Sequence, residues 1–241
     1  MSEMSSETNS FTKENLDNYL KELAKEYRKL TGKSVRAEII LVGGGAVLAN
    51  YGFREMTNDI DAVIHAASSM KDAINRVGDK YSLPNGWINT DFTETRSYSD
   101  KLEEYSVYYR TFSNMVEVRT MSAEYLIAMK LRSGRQYKSD LSDIAGILAE
   151  HSKRGEPINF DMIKTAYENL YGSWDDMPAA AGNFIEDIMA AGDYGKVYKE
   201  IAENEKLSRN VLINIEKNYP GSVNADTAQN ILASLKEKKQ L

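Results

Sequence analysis

Apolar positions recur along this chain with two different periods, and the switches between them outline its elements. Leu16, Leu20, Leu23, Tyr27 and Leu30 are spaced by four and three, which lines one face of an amphipathic helix. Gly32 follows as its stop, because glycine takes the backbone angles that a helix C-terminus needs. Ala37 to Val42, AEIILV, is a short branched run ending at three glycines, and it reads as a buried strand. Helix formers return from Ala46 to Tyr51, so Gly43-Gly44-Gly45 sits at a strand-to-helix junction. Ile60 to Ile64, IDAVI, predicts a second strand with Ile60 and Val63 turned to the core. Ser69 to Val77 predicts a helix with Ser68 or Ser69 as N-cap.

Leu83-Pro84-Asn85-Gly86 has turn chemistry. Tyr105 to Phe112 and Met115 to Thr120 are strand-like, and Ser113-Asn114 between them predicts a hairpin. Ser122 is placed to cap a helix through Leu131, and the bend SGRQYKS leads into another over Leu141 to His151. Past Gly155-Glu156-Pro157, helical periodicity dominates: Phe160 to Leu170, Phe184 to Met189, Tyr194 to Ala202, Val211 to Tyr219 and Ala225 to Leu235. The order predicts an α+β (α/β-like) fold, a small mixed sheet flanked by helices, followed by a helical C-terminal region. We expect a disordered tail over 1–10, a first domain over 11–152 and a helical domain over 153–241.

Composition narrows the chemistry. A net charge of -6 argues against bulk electrostatic attachment to nucleic acid, which depends on Lys and Arg neutralising phosphates. The chain has no cysteine, which removes thiolate catalysis and cysteine-ligated zinc and fits a reducing compartment. His65 and His151 are the only histidines, so a histidine-rich metal site is excluded. No apolar run approaches a membrane span and the first residues lack signal-peptide character; the cytoplasm is the expected location.

Leu41 to Ile64, LVGGGAVLANYGFREMTNDIDAVI, combines a strand, a glycine turn, a helix start and a strand bearing two carboxylates. Glycines without Cβ let backbone N–H groups approach phosphate oxygens, and a helix N-terminus favours the anion. Asp59 and Asp61 are two apart; alternation puts both on one strand face, about 6.6 Å apart by backbone rise. Paired hard oxygen donors suit magnesium. Such a pair also fits an exposed face or a strand start, as three glycines also fit a plain tight turn; each feature strengthens the other. Glu117, in Met115-Val116-Glu117-Val118-Arg119, is the candidate third carboxylate, with Val116 and Val118 facing the core; a charged position on an exposed hairpin is its other reading. His65 reads as a loop residue. Tyr105, Tyr108 and Tyr109 read as packing residues rather than a base-stacking platform.

Gly43-Gly44, Arg54, Thr57, Asp59 and Asp61 resemble the Gly-Gly turn and R-x-x-T-x-D-x-D pattern of the nucleotidyltransferase superfamily, whose fold is polymerase-beta-like. EYLIAMKLRSGRQYKSDLSDI, Glu124 to Ile144, resembles the K-x(n)-R-x(n)-D-x-x-D signature of a bacterial branch related to AbiEii-type toxin nucleotidyltransferases. The resemblance covers about Leu41 to Leu148. It implies that Gly43, Gly44 and Gly45, with Arg54 and Thr57, hold a nucleoside triphosphate such as ATP, and that Asp59 and Asp61 bind Mg2+. It also implies that Lys130 contacts phosphate and that Asp140 is a further acidic site residue. Asp140 and Asp143 equally suit a helix first turn, and Lys130 a solvated position. The activity implied is magnesium-dependent transfer of a nucleotide from an NTP to an acceptor hydroxyl on RNA (tRNA in the toxin version), protein or a small molecule, the last as in aminoglycoside-type enzymes. An antitoxin partner belongs to the toxin version. A nucleotide-binding or regulatory module without turnover is the alternative class.

Overall fold

A computed structural model describes residues 10–135, 138–224 and 227–239. The chain divides into two compact units between Leu126 and Ile127. The tail expected over residues 1–10 lies outside the described residues up to position 9; the carbonyl of Ser10 already accepts a hydrogen bond from Asn15 Nδ2 at 3.1 Å.

The first unit opens with α1 (Lys13–Thr31), which begins at a capping box. Thr12 Oγ1 accepts from the Asn15 N–H at 3.4 Å, and the Thr12 N–H donates to Asn15 Oδ1 at 2.8 Å, so two otherwise unsatisfied groups are paired. Its apolar face, Leu16, Leu20, Leu23 and Tyr27, is buried. Then come β1 (Ala37–Leu41), α2 (Gly43–Asn50), β2 (Ile60–His65), α3 (Ser69–Tyr81), β3 (Ile88–Asn89), β4 (Ser106–Phe112) and β5 (Val116–Met121). The five strands form one mixed sheet in the order β3-β2-β1-β5-β4. β1 runs antiparallel to β2 and parallel to β5, β2 parallel to β3, and β4 antiparallel to β5. The hairpin turns at Ser113 and Asn114, both at positive φ (53° and 52°), the backbone that a tight hairpin matched to strand twist demands.

Several expectations need correction. The glycines belong to the first turn of α2 rather than preceding it. Val63 shares strand parity with Asp61: Ile60 and Ala62 are the fully buried pair, while Val63 is half-buried. Ser68 holds the N-cap position of α3 but makes no side-chain cap hydrogen bond. His65 ends β2, paired with Glu38, instead of lying in a loop. β3, two residues long, carried too little pattern to be anticipated.

The division between the units falls within α4 (Ala123–Ser133). The second unit continues with α5 (Asp140–Lys153), α6 (Phe160–Tyr171), α7 (Ala179–Ala191), α8 (Tyr194–Asn218) and α9 (Ala228–Lys239). Here the two segments Tyr194 to Ala202 and Val211 to Tyr219 are parts of the single helix α8. Ala225 and Asp226, expected to open the last helix, lie outside the described residues, as do Gln136 and Tyr137 in the bend before α5. α5 packs along α8. Trp174 sits edge-on to Phe160 and Tyr167 of α6. No helix among the described residues is long and apolar enough to cross a membrane.

Candidate functional site

The three glycines at the start of α2 are packed against the segment that carries Arg54, Thr57, Asp59 and Asp61. A Cβ on Gly43 would stand 3.2 Å from Oδ2 of Asp61. One on Gly44 would stand 2.8 Å from Thr57 Oγ1 and 2.9 Å from an Arg54 guanidinium nitrogen. One on Gly45 would meet Ile60 Cγ2 at 3.3 Å. Each missing side chain therefore makes room for a different residue of the downstream motif. Gly43 also has φ +56°, a conformation costly for residues with Cβ. The N–H groups of Gly43, Gly44 and Gly45 open the helix and have no acceptor inside it, whereas Ala46 N–H already bonds the Val42 carbonyl at 3.1 Å.

The connecting loop is held from several sides. Thr57 Oγ1 donates to the Asp59 carbonyl at 3.2 Å, and Arg54 Nε to the Met56 carbonyl at 3.2 Å. Thr57 also exchanges two backbone hydrogen bonds with Phe11, at 2.7 and 2.9 Å. Phe11 is fully buried and stacks on Trp87. Its role was not visible in the sequence, because a single bridging residue has no period.

Asp59 is exposed just before β2, and Asp61 is half-buried within it. Ile60 and Ala62, the intervening and following residues, are fully buried, so alternation sets both aspartates on the opposite face. The Asp61 carbonyl accepts from Val42 N–H at 3.0 Å, tying the strand to the residue before the glycines.

Glu117 is not brought to this pair. It is level with Glu38 across β5 and β1, and Glu38 is level with His65 across β1 and β2. That is four residues along β2 from Asp61, about 13 Å of strand. Its side chain shares the sheet face of Asp61, since Val116 and Val118 are buried, yet it accepts from Arg119 Nη1 at 3.0 Å. Glu117, Glu38 and His65 instead line a separate cleft of about 500 Å³. Extending both registers puts Met121, not Glu117, level with Asp61.

In the second unit Lys130, buried on α4, reaches Asp140 Oδ1 at 3.0 Å and Asp143 Oδ2 at 2.7 Å. Arg135 Nε takes the other Asp140 oxygen at 2.9 Å. Burial pushes the Asp140 carboxyl up, but the Lys130 and Arg135 cations outweigh it and hold the group below the usual carboxylate range. Lys130 is thus no solvated surface residue, and Asp140 stays ionised.

Behind this cluster lies a residue that the sequence did not single out. Glu205 of α8 is buried and accepts from the N–H groups of Leu141 and Ser142 at 3.1 and 3.2 Å and from the Ser142 hydroxyl. Burial pushes its carboxyl up to about 7, against these donors, and Asp143 adds to the rise.

Residues 18–177 match the family model described as "Nucleotidyltransferase of unknown function (DUF6036)". No curated protein and no solved structure matches the chain.

Proposed function

Because the chain belongs to this nucleotidyltransferase family, we propose that it moves a nucleotide from an NTP to an acceptor hydroxyl in a magnesium-dependent reaction centred on Asp59 and Asp61. The observation that carries this reading is the packing of Gly43 and Gly44 against Asp61 and against Thr57 and Arg54. It sets a helix N-terminus without side chains of its own directly against a carboxylate, a hydroxyl and a guanidinium, an approach that a single Cβ would obstruct.

The donor set fits magnesium: Asp59 and Asp61 offer hard oxygens on one strand face. The ion, when bound, supplies charge neutralisation at the triphosphate and acidifies the attacking hydroxyl. The chain's own contribution is placement. N–H groups of Gly43, Gly44 and Gly45 hold phosphate oxygens at the positive end of α2. Arg54 and Thr57 fix the loop against the glycines, and Asp59 and Asp61 would hold the ion for in-line attack of the acceptor hydroxyl on the α-phosphate, with pyrophosphate leaving. Lys130 contributes cationic charge toward phosphate, with Asp140 and Asp143 fixing its ammonium in place. The acceptor is a hydroxyl on RNA, protein or a small molecule; a toxin acting on tRNA, with an antitoxin partner, and an aminoglycoside-type transferase are the two narrower versions.

One observation favours a second reading, a nucleotide-binding module without turnover. Glu117, the candidate third carboxylate, is level with Glu38 and bonded to Arg119, so Asp59 and Asp61 would hold the ion without a carboxylate from β5.

Two measurements separate the readings. Magnesium-dependent thermal stabilisation by NTPs, lost in Asp59→Ala/Asp61→Ala, is expected under both; its absence with every NTP removes both. Incubation with labelled NTPs and total RNA, cell protein or aminoglycosides is expected to label an acceptor. Stabilisation without any labelling, including self-labelling, selects the module.

A further inference from the structure

We infer that Glu205 is a positioning residue for the Lys130–Asp140–Asp143 cluster: from α8 its buried carboxylate caps the first turn of α5, the turn that presents both aspartates to Lys130. This rests on the reading of Lys130 and Asp140 as parts of the transferase site. Glu205 lies beyond residues 18–177, the stretch that the family model covers.

The geometry is that of a helix cap supplied from another helix. α5 starts at Asp140 with Ser139 in the N-cap position, and Ser139 makes no side-chain cap hydrogen bond. Its hydroxyl oxygen instead accepts from Arg209 of α8 at 3.3 Å. The N–H groups that an N-cap side chain ordinarily satisfies are those of the second and third helical residues. Here these are Leu141 and Ser142, and both donate to Glu205 Oε1 at 3.1 and 3.2 Å. Glu205 Oε2 meets the Ser142 hydroxyl. Three donors thus converge on one carboxylate across 63 or 64 residues of sequence. Asp140 immediately precedes the capped pair and Asp143 immediately follows it, so fixing that pair fixes where both aspartates meet Lys130 Nζ, at 3.0 and 2.7 Å.

Stability alone is poorly served by this choice. A serine at the N-cap costs little and is already present, whereas burying a carboxylate near Asp143 is unfavourable, and burial does raise the Glu205 carboxyl. A long side chain reaching in from α8 adds what a local cap cannot. It locks the first turn of α5 to a second helix, so the turn cannot fray without breaking a tertiary contact.

The test uses the full chain and three variants. Glu205→Met keeps the volume and removes the acceptor, Glu205→Ala truncates the side chain, and Glu205→Gln keeps a carbonyl oxygen for the two N–H groups. The direct readout is the acetylation rate of Lys130 under an excess of an amine-reactive ester, followed by peptide mass spectrometry with exposed Lys71 as internal control. We expect Lys130 to react at least tenfold faster in Glu205→Met and Glu205→Ala, within threefold of wild type in Glu205→Gln, and Lys71 to be unchanged throughout. The thermal midpoint of Glu205→Met is expected to fall, because the N–H groups of Leu141 and Ser142 lose their acceptor, so Lys130 reactivity is compared at a temperature where every variant is folded and Lys71 reacts at the wild-type rate. Where wild type labels an acceptor, kcat is expected to fall at least tenfold in Glu205→Met and to recover in Glu205→Gln. Unchanged Lys130 reactivity in both Glu205→Met and Glu205→Ala overturns the inference, as does faster reaction with undiminished kcat. A wild-type protein that labels nothing defeats the transferase reading instead, while Lys130 reactivity still decides whether Glu205 positions the cluster.

Discussion

Oδ2 of Asp61 occupies space that a side chain on Gly43 would contest, at 3.2 Å from its Cβ position. Two residues that are 18 positions apart in sequence are thus complementary in shape. The neighbouring glycines repeat the relation with Thr57, Arg54 and Ile60. The glycine turn and the R-x-x-T-x-D-x-D segment are therefore one packed unit, and neither can be altered without disturbing the other.

Single alanines in the turn are expected to separate the three glycines. Gly44→Ala drives a Cβ to 2.8 Å from Thr57 Oγ1, and Thr57 is buried and short, so it cannot swing aside. The overpacking cost is about 1–3 kcal/mol. Gly43→Ala must hold φ +56°, at about 1–2 kcal/mol, and crowds Asp61 besides. Gly45→Ala meets only Ile60 and is expected to cost least. Urea unfolding ranks the three, and NTP-dependent thermal shifts should be lost first in Gly43→Ala and Gly44→Ala. Wild-type behaviour in both would refute the packed-unit description.

Glu117→Gln is expected to leave magnesium-dependent NTP stabilisation unchanged, while Asp61→Asn abolishes it. The reason is register: Glu117 is level with Glu38 and His65 at the other end of the shared sheet face. Losing the shift in Glu117→Gln would show that this carboxylate reaches the nucleotide after all.

What the sequence made legible was local. The run AEIILV before three glycines gave β1, and the alternation of Asp59, Ile60 and Asp61 gave the face of the pair, because both depend on neighbours a few residues away. Alternation also set the face of Glu117 correctly, but its position along the sheet depends on how β5 aligns with β1, which no local period encodes. Glu205 was hidden for a related reason. It sits in the polar stretch ENEKLSRN that interrupts the apolar period of α8, and the interruption read as a gap between two helices. With no Gly or Pro to break it, the helix continues there, and the charged residue turns inward because three donors on α5 await it.

Phe11→Ala is expected to unfix the motif loop from outside it. Phe11 is fully buried, stacks on Trp87, meets Tyr19 edge-on and makes both backbone bonds to Thr57. Truncating a buried aromatic of this kind costs about 3–5 kcal/mol. Amide exchange should rise at Thr57 and Ile60 more than in the β4–β5 hairpin. Uniform exchange across the unit would instead mean that Phe11 supports only global stability.

The pH dependence of the second unit should carry two limbs of opposite sign. Asp140 is held below its ordinary value of 3.8 by Lys130 and Arg135, so in the folded state it resists protonation. Its stabilisation is complete above that value and is lost as pH falls through the lower folded one. Glu205 is raised from 4.5 to about 7, chiefly by burial, with Asp143 adding to it and the donors from Ser142 and Leu141 opposing it. The folded state then binds its proton more tightly than the unfolded state does. That contribution is complete below pH 4.5 and is lost as pH rises through about 7. Urea unfolding across this range is expected to show stability declining from pH 4.5 toward 7 in wild type, and a flatter profile in Glu205→Gln with the acid limb intact. Asp140→Asn should weaken the acid limb and lower stability overall by about 3–5 kcal/mol, since it unbalances a buried ion cluster. If Glu205→Gln leaves the decline toward neutral pH as steep as in wild type, the buried carboxylate is not its source.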